Sequence, residues 1–470
     1  MLIGAIDQGS TSTKGAVFDE RGAVVASALV PVARLVEEAR VEHDPLALLG
    51  SVEEVLAQLE REAPFAALAL TGQRSTCLVW ERESGRPLTP AVSWQDRRQV
   101  DDEAQFREDA AQIARRTGLR LSPHYAALKL RALLGGLPAG RRRADRGEIV
   151  AGTLDAFLVQ RLTGRASTEP GHAGRTLLYD LEGDRWDPWL CDRFGVPLAA
   201  LPELLPSAGA RGEWRGVPLL ALAGDQQAAL LGLGGWEAGV LAAHFGTGAF
   251  VLGSTGTRLE RVPGLLSAVV AQIAEERRFQ LEGSVNSAGS AVDWACALTG
   301  TTLESYADPD LDPERLPWIF PAFAGAAAPW WRPEVGAAAS GLQMSTSAAD
   351  LAAGVLAGVA QRVLDCVEAM TGAGLDGEAL RVSGRLTRRR GLVGLLADLG
   401  QRPVEVAGEE ESGVRGAARL ARSVLTGERR SLAEPPRVAF RREPVWAPER
   451  AQRVRARWRC FVETVLALPA

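Results

Sequence analysis

The feature that most constrains this chain is a device that occurs twice: a strand, a turn of glycine and hydroxyl residues, and a second strand. The first copy runs Ile3-Gly4-Ala5-Ile6-Asp7-Gln8-Gly9-Ser10-Thr11-Ser12-Thr13-Lys14-Gly15-Ala16-Val17-Phe18-Asp19. The second runs His244-Phe245-Gly246-Thr247-Gly248-Ala249-Phe250-Val251-Leu252-Gly253. Small residues at the tip let a tight hairpin present backbone N–H groups and hydroxyls together, and a concave array of such donors binds oxyanions. One Gly-Thr turn alone is ordinary hairpin punctuation. Two copies half a chain apart, the first beside the Asp7 carboxylate, predict two related domains that close on one phosphate chain.

At 470 residues the chain exceeds one ordinary core. The reading places a first domain at 1–231, a second at 232–428 and a C-terminal helical appendage at 429–470, with a hinge in the glycine-rich Leu231–Gly239. In the first domain, strands are predicted over 2–8, 15–19 and 23–30. Asp44 and Pro45 then open a helix as N-cap and first helical residue, with Leu46, Leu49, Val52, Val55, Leu56 and Leu59 as its apolar stripe. A buried strand follows at 67–70, then a hairpin of 77–80 with Leu88 onward that turns at Glu83-Ser84-Gly85. The second domain restarts the order. It offers a helix over 287–298, a strand at 318–320 and an Ala-rich helix over 348–370 capped by Ser345 or Ser347. A strand at 380–382, a helix over 392–399, a strand at 404–406, a helix from Val414 and a last helix over 448–466 follow. Strands and helices in this mixture predict an α/β fold, helices packed on a mixed sheet.

Charge and cysteine usage narrow the function. A net charge of −5 argues against nucleic acid or an anionic membrane as the main partner. No apolar run is long enough and free enough of charge to span a bilayer, and Met1-Leu2-Ile3-Gly4 leads into a strand without the pattern of a signal peptide. The five cysteines are scattered, odd in number and without CxxC spacing, which points away from disulfides or zinc and toward a reducing cytoplasm. Lys14 and Lys129 are the only lysines and Asn286 the only asparagine, so arginine runs such as Arg141–Arg143 and Arg388–Arg390 carry less weight than usual.

Three further segments complete the pattern: Thr71-Gly72-Gln73-Arg74-Ser75-Thr76, Val92-Ser93-Trp94-Gln95-Asp96-Arg97-Arg98, and Gly224-Asp225-Gln226-Gln227-Ala228-Ala229-Leu230. With these and the two loops, the chain resembles the FGGY carbohydrate kinases, and the glycerol kinase group most, from residue 3 to about 422. The resemblance implies a two-domain actin- and hexokinase-like fold, a duplicated ribonuclease H-like unit with a central cleft. It implies ATP and Mg²⁺ as cofactors and a small polyol or sugar as substrate, and it leaves a homo-oligomer open. Asp225 matches the general base, a role its equally suitable position as a helix N-cap does not preclude. Gln226, Arg74, Trp94 and Phe250 match the polyol pocket, Arg74 as a fork for hydroxyls and the aromatic rings as walls. Asp7 would help hold Mg²⁺ through water. Ser10, Thr11, Ser12 and Lys14 match the first phosphate loop, and Gly246, Thr247 and Gly289 the second.

The departures from the family pattern are as informative. Ser75 stands where a glutamate binds substrate hydroxyls, and His124, next to Tyr125, stands where a tyrosine does. Strict glycerol specificity is therefore not expected. On the nucleotide side Asp293 replaces a glutamine. The motif Asp-Gly-Gly-x-x-x-Asn becomes Ser383-Gly384-Arg385-Leu386-Thr387-Arg388-Arg389, with Arg385 for the second glycine and Arg389 for the asparagine. Spaced four apart at the start of a predicted helix, these two arginines are expected on one face and to weaken ATP binding. Two alternatives stay open: a catalytically degenerate kinase fold used for ligand binding or regulation, and a kinase with a polyphosphate or pyrophosphate donor.

Overall fold

A computed structural model describes residues 1–300, 311–408 and 412–468. In it the first hairpin seeds a sheet. Strands β1 (Ile3–Gln8) and β2 (Ser12–Phe18) pair antiparallel with Gln8 opposite Thr13, which leaves Gly9-Ser10-Thr11 at the tip. β3 (Val24–Pro31) continues antiparallel beside β2. On the other side β1 runs parallel to β4 (Ala67–Gly72), which runs parallel to β5 (Val217–Gly224). The second half repeats this arrangement with β6 (Leu241–Phe245), β7 (Ala249–Gly256), β8 (Leu266–Ile273), β9 (Glu276–Val285), β10 (Leu380–Gly384) and β11 (Val404–Ala407). The order β9-β7-β6-β10-β11 reproduces β3-β2-β1-β4-β5 with the same sequence of antiparallel and parallel neighbours, and β8 adds an outer strand to the second sheet. The duplicated α/β fold expected from the repeated hairpin is the one observed.

Parallel register puts the chemistry at one edge. Asp7 and Ala223 both lie opposite Thr71, so β1, β4 and β5 end abreast and Gly224-Asp225 leaves the sheet beside Asp7. In the second half Phe245 lies opposite Gly384, so the Gly246-Thr247 loop and Arg385 also leave together. Ligands of open α/β sheets bind outside the carboxyl ends of such strands.

Helix α1 (Pro45–Glu62) is capped by Asp44, whose Oδ1 accepts from the Leu46 N–H at 2.9 Å. Leu48, Leu49, Val52, Val55, Leu56 and Leu59 are buried, whereas Leu46, expected on the stripe, is 50% exposed. Helix α2 (Asp225–Gly232) begins at the aspartate itself, and α3 (Gly289–Thr299) begins beneath the second Gly-Thr loop. In α4 (Ala348–Gly372) the cap is Ser347, in a reciprocal capping box with Asp350. Helix α5 (Ser412–Thr426), although late in the chain, packs on α2, β1 and β4 of the first half. The two helices nearly touch: a Cβ on Gly416 would stand 1.8 Å from the Ala228 carbonyl oxygen, and one on Gly232 would stand 2.0 Å from that of Ser412. Gly416→Ala is therefore expected to lower stability by about 1–3 kcal/mol, the range for overpacking. An unchanged urea midpoint would contradict this.

One reading of the sequence needs revision. The segment past residue 430 is integrated into the second half. Val438–Arg442 pairs antiparallel with β11, and helix α6 (Pro448–Ala467) buries Trp458 against Phe320. The hairpin expected at Glu83-Ser84-Gly85 forms: Cys77–Glu81 turns back and pairs antiparallel with Ala91–Val92, and Ile149–Thr153 joins it as a further antiparallel neighbour.

Candidate active site

Arg74, two residues past β4, is the joint of the site. Its Nε lies 3.0 Å from Asp225 Oδ1, its Nη1 lies 2.8 Å from Glu282 Oε2, and its Nη2 donates to Glu282 Oε1 at 3.1 Å. Nη1 also donates to Gln227 Oε1 at 3.3 Å, and the guanidinium stands 5.7 Å from the centre of the Phe250 ring. Asp225 and Arg74 come from the first half, Glu282 and Phe250 from β9 and β7 of the second. Glu282 takes a second guanidinium, from Arg175, and a bond from Gln280 Nε2 at 3.1 Å. The resulting chain, Asp225–Arg74–Glu282–Arg175, crosses from one half to the other in nearly dry surroundings, with Arg74 8% and Glu282 2% exposed.

Electrostatics follow from that burial. Burial alone pushes the Glu282 carboxyl upward, but Arg175 and Arg74 outweigh it and hold the group down at about 2. Burial likewise works against the Arg74 charge, and Glu282 and Asp225 more than restore it. Arg175 is left with a lowered value, through burial and the neighbouring Arg74 charge.

Three aromatic side chains named in the sequence come together. The rings of Trp94 and His124 lie 5.5 Å apart, and Tyr125 stands edge-on to His124 at 5.2 Å. The His124 side chain is exposed to solvent, with Trp94 and Tyr125 on two sides. Desolvation, then the charges of Lys129, Arg175 and Arg74, push the imidazole down to about 3, so it is neutral at pH 7. Lys129 itself is buried under these rings, donates to the His124 carbonyl at 2.7 Å and is pushed by burial down to about 8. Gln226 is buried, and its Oε1 has no hydrogen-bond partner among the described residues. Its backbone N–H donates to Asp225 Oδ1 at 2.7 Å. Ser75 is fully buried at φ +64°, and its hydroxyl donates to the Arg175 carbonyl at 3.2 Å.

Both hairpin tips face solvent. Thr11, Gly246 and Thr247 are exposed, Ser10, Ser12 and Lys14 half-buried, and Lys14 lies opposite Asp7 in the β1–β2 register. The second tip rests on α3: Gly289 donates to the Gly246 carbonyl at 3.1 Å, and Ala288 and Ser290 to that of Thr247 at 3.0 Å. A Cβ on Gly289 would lie 2.4 Å from the Gly246 oxygen, so only glycine allows this seat. The arginines depart from expectation. Gly384 stands at φ +100°, Arg385–Arg388 form a 3₁₀ turn, and the helix starts only at Arg390. Arg385 and Arg389 therefore share no helical face. Arg385 pairs with Asp293, its Nη2 2.8 Å from each carboxylate oxygen.

Among the described residues no three His, Cys, Asp or Glu side chains gather as a metal cage. Mg²⁺ needs none, because it keeps several waters and uses one or two carboxylates with substrate phosphates. Beside Gly413 the Asp7 carboxylate and the Asp225 main chain come near each other: a Cβ on Gly413 would lie 3.6 Å from Asp7 Oδ2 and 3.7 Å from the Asp225 main-chain oxygen.

Two open α/β sheets of like topology, with carboxylates at the strand ends and glycine-hydroxyl hairpins beside them, define a phosphoryl-transfer architecture of the duplicated ribonuclease H-like class. The chain belongs to the FGGY family of carbohydrate kinases, whose N-terminal domain model matches residues 2–232 and whose C-terminal domain model matches residues 241–423. It is similar to a glycerol kinase of Methylobacterium nodulans, 35% identical over 496 residues that cover 100% of this chain and 99% of that one. Among solved structures, Plasmodium falciparum glycerol kinase with ADP superposes with a TM-score of 0.91 at 25% identity, over 100% of this chain and 99% of that one. A ligand-bound xylulose kinase of Lactobacillus acidophilus shares the fold, with a TM-score of 0.88 at 20% identity over 99% and 98% of the two chains. Among the described residues no helix is long and apolar enough to cross a membrane.

Sequence reasoning missed Glu282 and Arg175. The available signal was the Phe279-Gln280-Leu281-Glu282 alternation, which puts Gln280 and Glu282 on one face of the strand.

Proposed function

We propose that this protein transfers the γ-phosphoryl group of ATP to a hydroxyl of a small polyol or sugar, with Asp225 as general base. The observation that carries the reading is the Asp225 carboxylate at the end of β5, held by Arg74 Nε at 3.0 Å with the unpartnered Gln226 Oε1 beside it. The donor is read from the ADP-bound relative, and the acceptor class from relatives that phosphorylate glycerol and xylulose.

Phosphoryl transfer demands mainly positioning and electrostatic stabilisation. The acceptor hydroxyl attacks the γ-phosphorus, its oxygen–phosphorus bond forms, and the bond to the departing ADP breaks. Its proton passes to the Asp225 carboxylate. Arg74 keeps that carboxylate turned toward the acceptor, and Glu282 stops the guanidinium from swinging away. Gln226 Oε1 accepts from a second hydroxyl, while Trp94, His124, Tyr125 and Phe250 enclose the carbon skeleton. Ser10, Thr11, Ser12, Lys14, Gly246 and Thr247 receive the phosphate chain. Asp7 would hold Mg²⁺ through water, and the ion when bound would offset charge on the phosphates. Closure of the two halves excludes water as a competing acceptor.

A coupled assay of ADP release over glycerol, tetritols, pentitols and ketoses tests the reading. Acceptor-dependent turnover is expected, and its absence across the panel would leave a ligand-binding protein. Glycerol is expected to be a secondary acceptor because Ser75 offers no carboxylate. Ser75→Glu should improve kcat/KM for glycerol over pentitols by about tenfold or more, since a charged hydrogen bond contributes ~1.5–3 kcal/mol. Wild-type saturation at micromolar glycerol would contradict this.

A further inference from the structure

At the donor end of the cleft the mechanism leaves one ion pair unused. The parallel strands β6 and β10 end side by side, and their loops form one surface with the start of α3. Gly289 is buried at that junction. It donates to the Gly246 carbonyl of the second hairpin tip at 3.1 Å, and a Cβ on it would lie 3.6 Å from Arg385 Nη2. Gly384 directs Arg385 there: a Cβ on Gly384 would lie 2.2 Å from the Phe245 carbonyl, so the chain must turn at this residue. Arg385 then reaches Asp293, one turn along α3, with 2.8 Å to each carboxylate oxygen. Both side chains are 57% exposed, so the pair lies across the mouth of the surface and not inside the core.

A nucleotide entering here would meet two kinds of group. Its phosphates would meet loop N–H groups and a guanidinium, both suited to oxyanions. Its base would meet a donor and an acceptor side by side. That combination suits the N6 amino group and N7 of adenine, and equally O6, N7 and the N1–H of guanine.

We propose that the Arg385–Asp293 pair makes donor recognition depend on the phosphates and not on the base, so that this enzyme takes purine nucleotides with little preference for adenine. The inference rests on the kinase reading above. Arg385 supplies charge beside the second phosphate loop, and Asp293 holds it there between turnovers.

Calorimetric titration of the full chain with ADP, GDP and inorganic pyrophosphate tests this without turnover. Wild type is expected to bind ADP and GDP within about threefold, less than one net hydrogen bond would produce. Arg385→Gly should weaken all three ligands by about tenfold or more, as loss of a charged hydrogen bond does. Arg385→Gly with Asp293→Gln should restore a preference for ADP. Asp293→Asn, which keeps the shape of the site, should leave ADP and GDP equivalent. Wild-type binding of ADP at least about tenfold tighter than GDP, unaffected by Arg385→Gly, would overturn the inference, such a tenfold gap being the worth of a base-specific hydrogen bond. If acceptor-dependent turnover with ATP stays intact in that case, the kinase reading stands. If no nucleotide or pyrophosphate binds and no acceptor is phosphorylated, both fall.

Discussion

Asp225→Asn is expected to lower the rate of phosphoryl transfer by about 10²–10⁴-fold, the usual contribution of a general base, while the protein stays folded. The substitution is close to isosteric. An amide oxygen can still accept from Arg74 Nε and from the Gln226 N–H, which now bond to Asp225 Oδ1 at 3.0 and 2.7 Å. What it cannot do is take the proton of the attacking hydroxyl. The side chain is 33% exposed, and Glu282 still faces both Arg74 and Arg175, so the cluster keeps its buried carboxylate. The expected signature is a collapse of kcat with the melting temperature and ADP binding close to wild type. Turnover near wild type in the purified variant would remove Asp225 from the mechanism. Loss of folding would instead assign it a structural role as the first residue of α2.

The parts of this site that were legible in the sequence are those set by local geometry. Gly9-Ser10-Thr11 and Gly246-Thr247-Gly248 announce hairpin tips because few other residues fit them, and from two such hairpins the duplicated fold follows. Asp225 was singled out by the resemblance of Gly224-Asp225-Gln226-Gln227-Ala228-Ala229 to the family pattern, and its place between strand and helix agrees with the N-terminal position it takes in α2. Three things were not legible. Glu282 meets Arg74 across 208 positions and Arg175 across 107, and an alternating strand pattern tells which way a side chain points but not what it meets. The spacing of Arg385 and Arg389 suggested one helical face, but Gly384 at φ +100° and the 3₁₀ turn delay the helix until Arg390. The strand Val438–Arg442 read as an appendage because its partner, Val404–Ala407, is separated from it by the whole of α5. Ser347 rather than Ser345 could have been chosen beforehand, since only Ser347 has an acidic residue three positions on, at Asp350.

Glu282→Ala is expected to be the most damaging single change for stability, because it would remove the carboxylate that two buried guanidiniums share, leaving Arg74 only Asp225 and Gln227. Arg74 is 8% and Arg175 3% exposed, and Glu282 faces both. Breaking a buried pair from one side costs about 3–5 kcal/mol, most of it the penalty of the charge left behind. Glu282→Gln retains the shape and one acceptor, so it should cost less and stay folded, which makes it the variant for kinetics. Its pH dependence carries a separate signature. In the native protein the carboxyl is held at about 2, against an ordinary value of 4.5. A depressed native value means the unfolded chain binds the proton more tightly, so stability from this group is complete above about 4.5 and drains away as pH falls toward about 2. The gap corresponds to about 3 kcal/mol at neutral pH. Urea unfolding at pH 7 and again at pH 4 should show the Gln variant losing most at pH 7, with a flatter acid limb than wild type. Catalysis should suffer through Arg74. Released from Glu282, its guanidinium is free to turn, so kcat should fall and the acceptor KM rise while ADP affinity, set at the opposite end of the cleft, holds. A Gln variant with wild-type kcat, KM and acid limb would show that the chain Asp225–Arg74–Glu282–Arg175 is packing alone and does not orient the base.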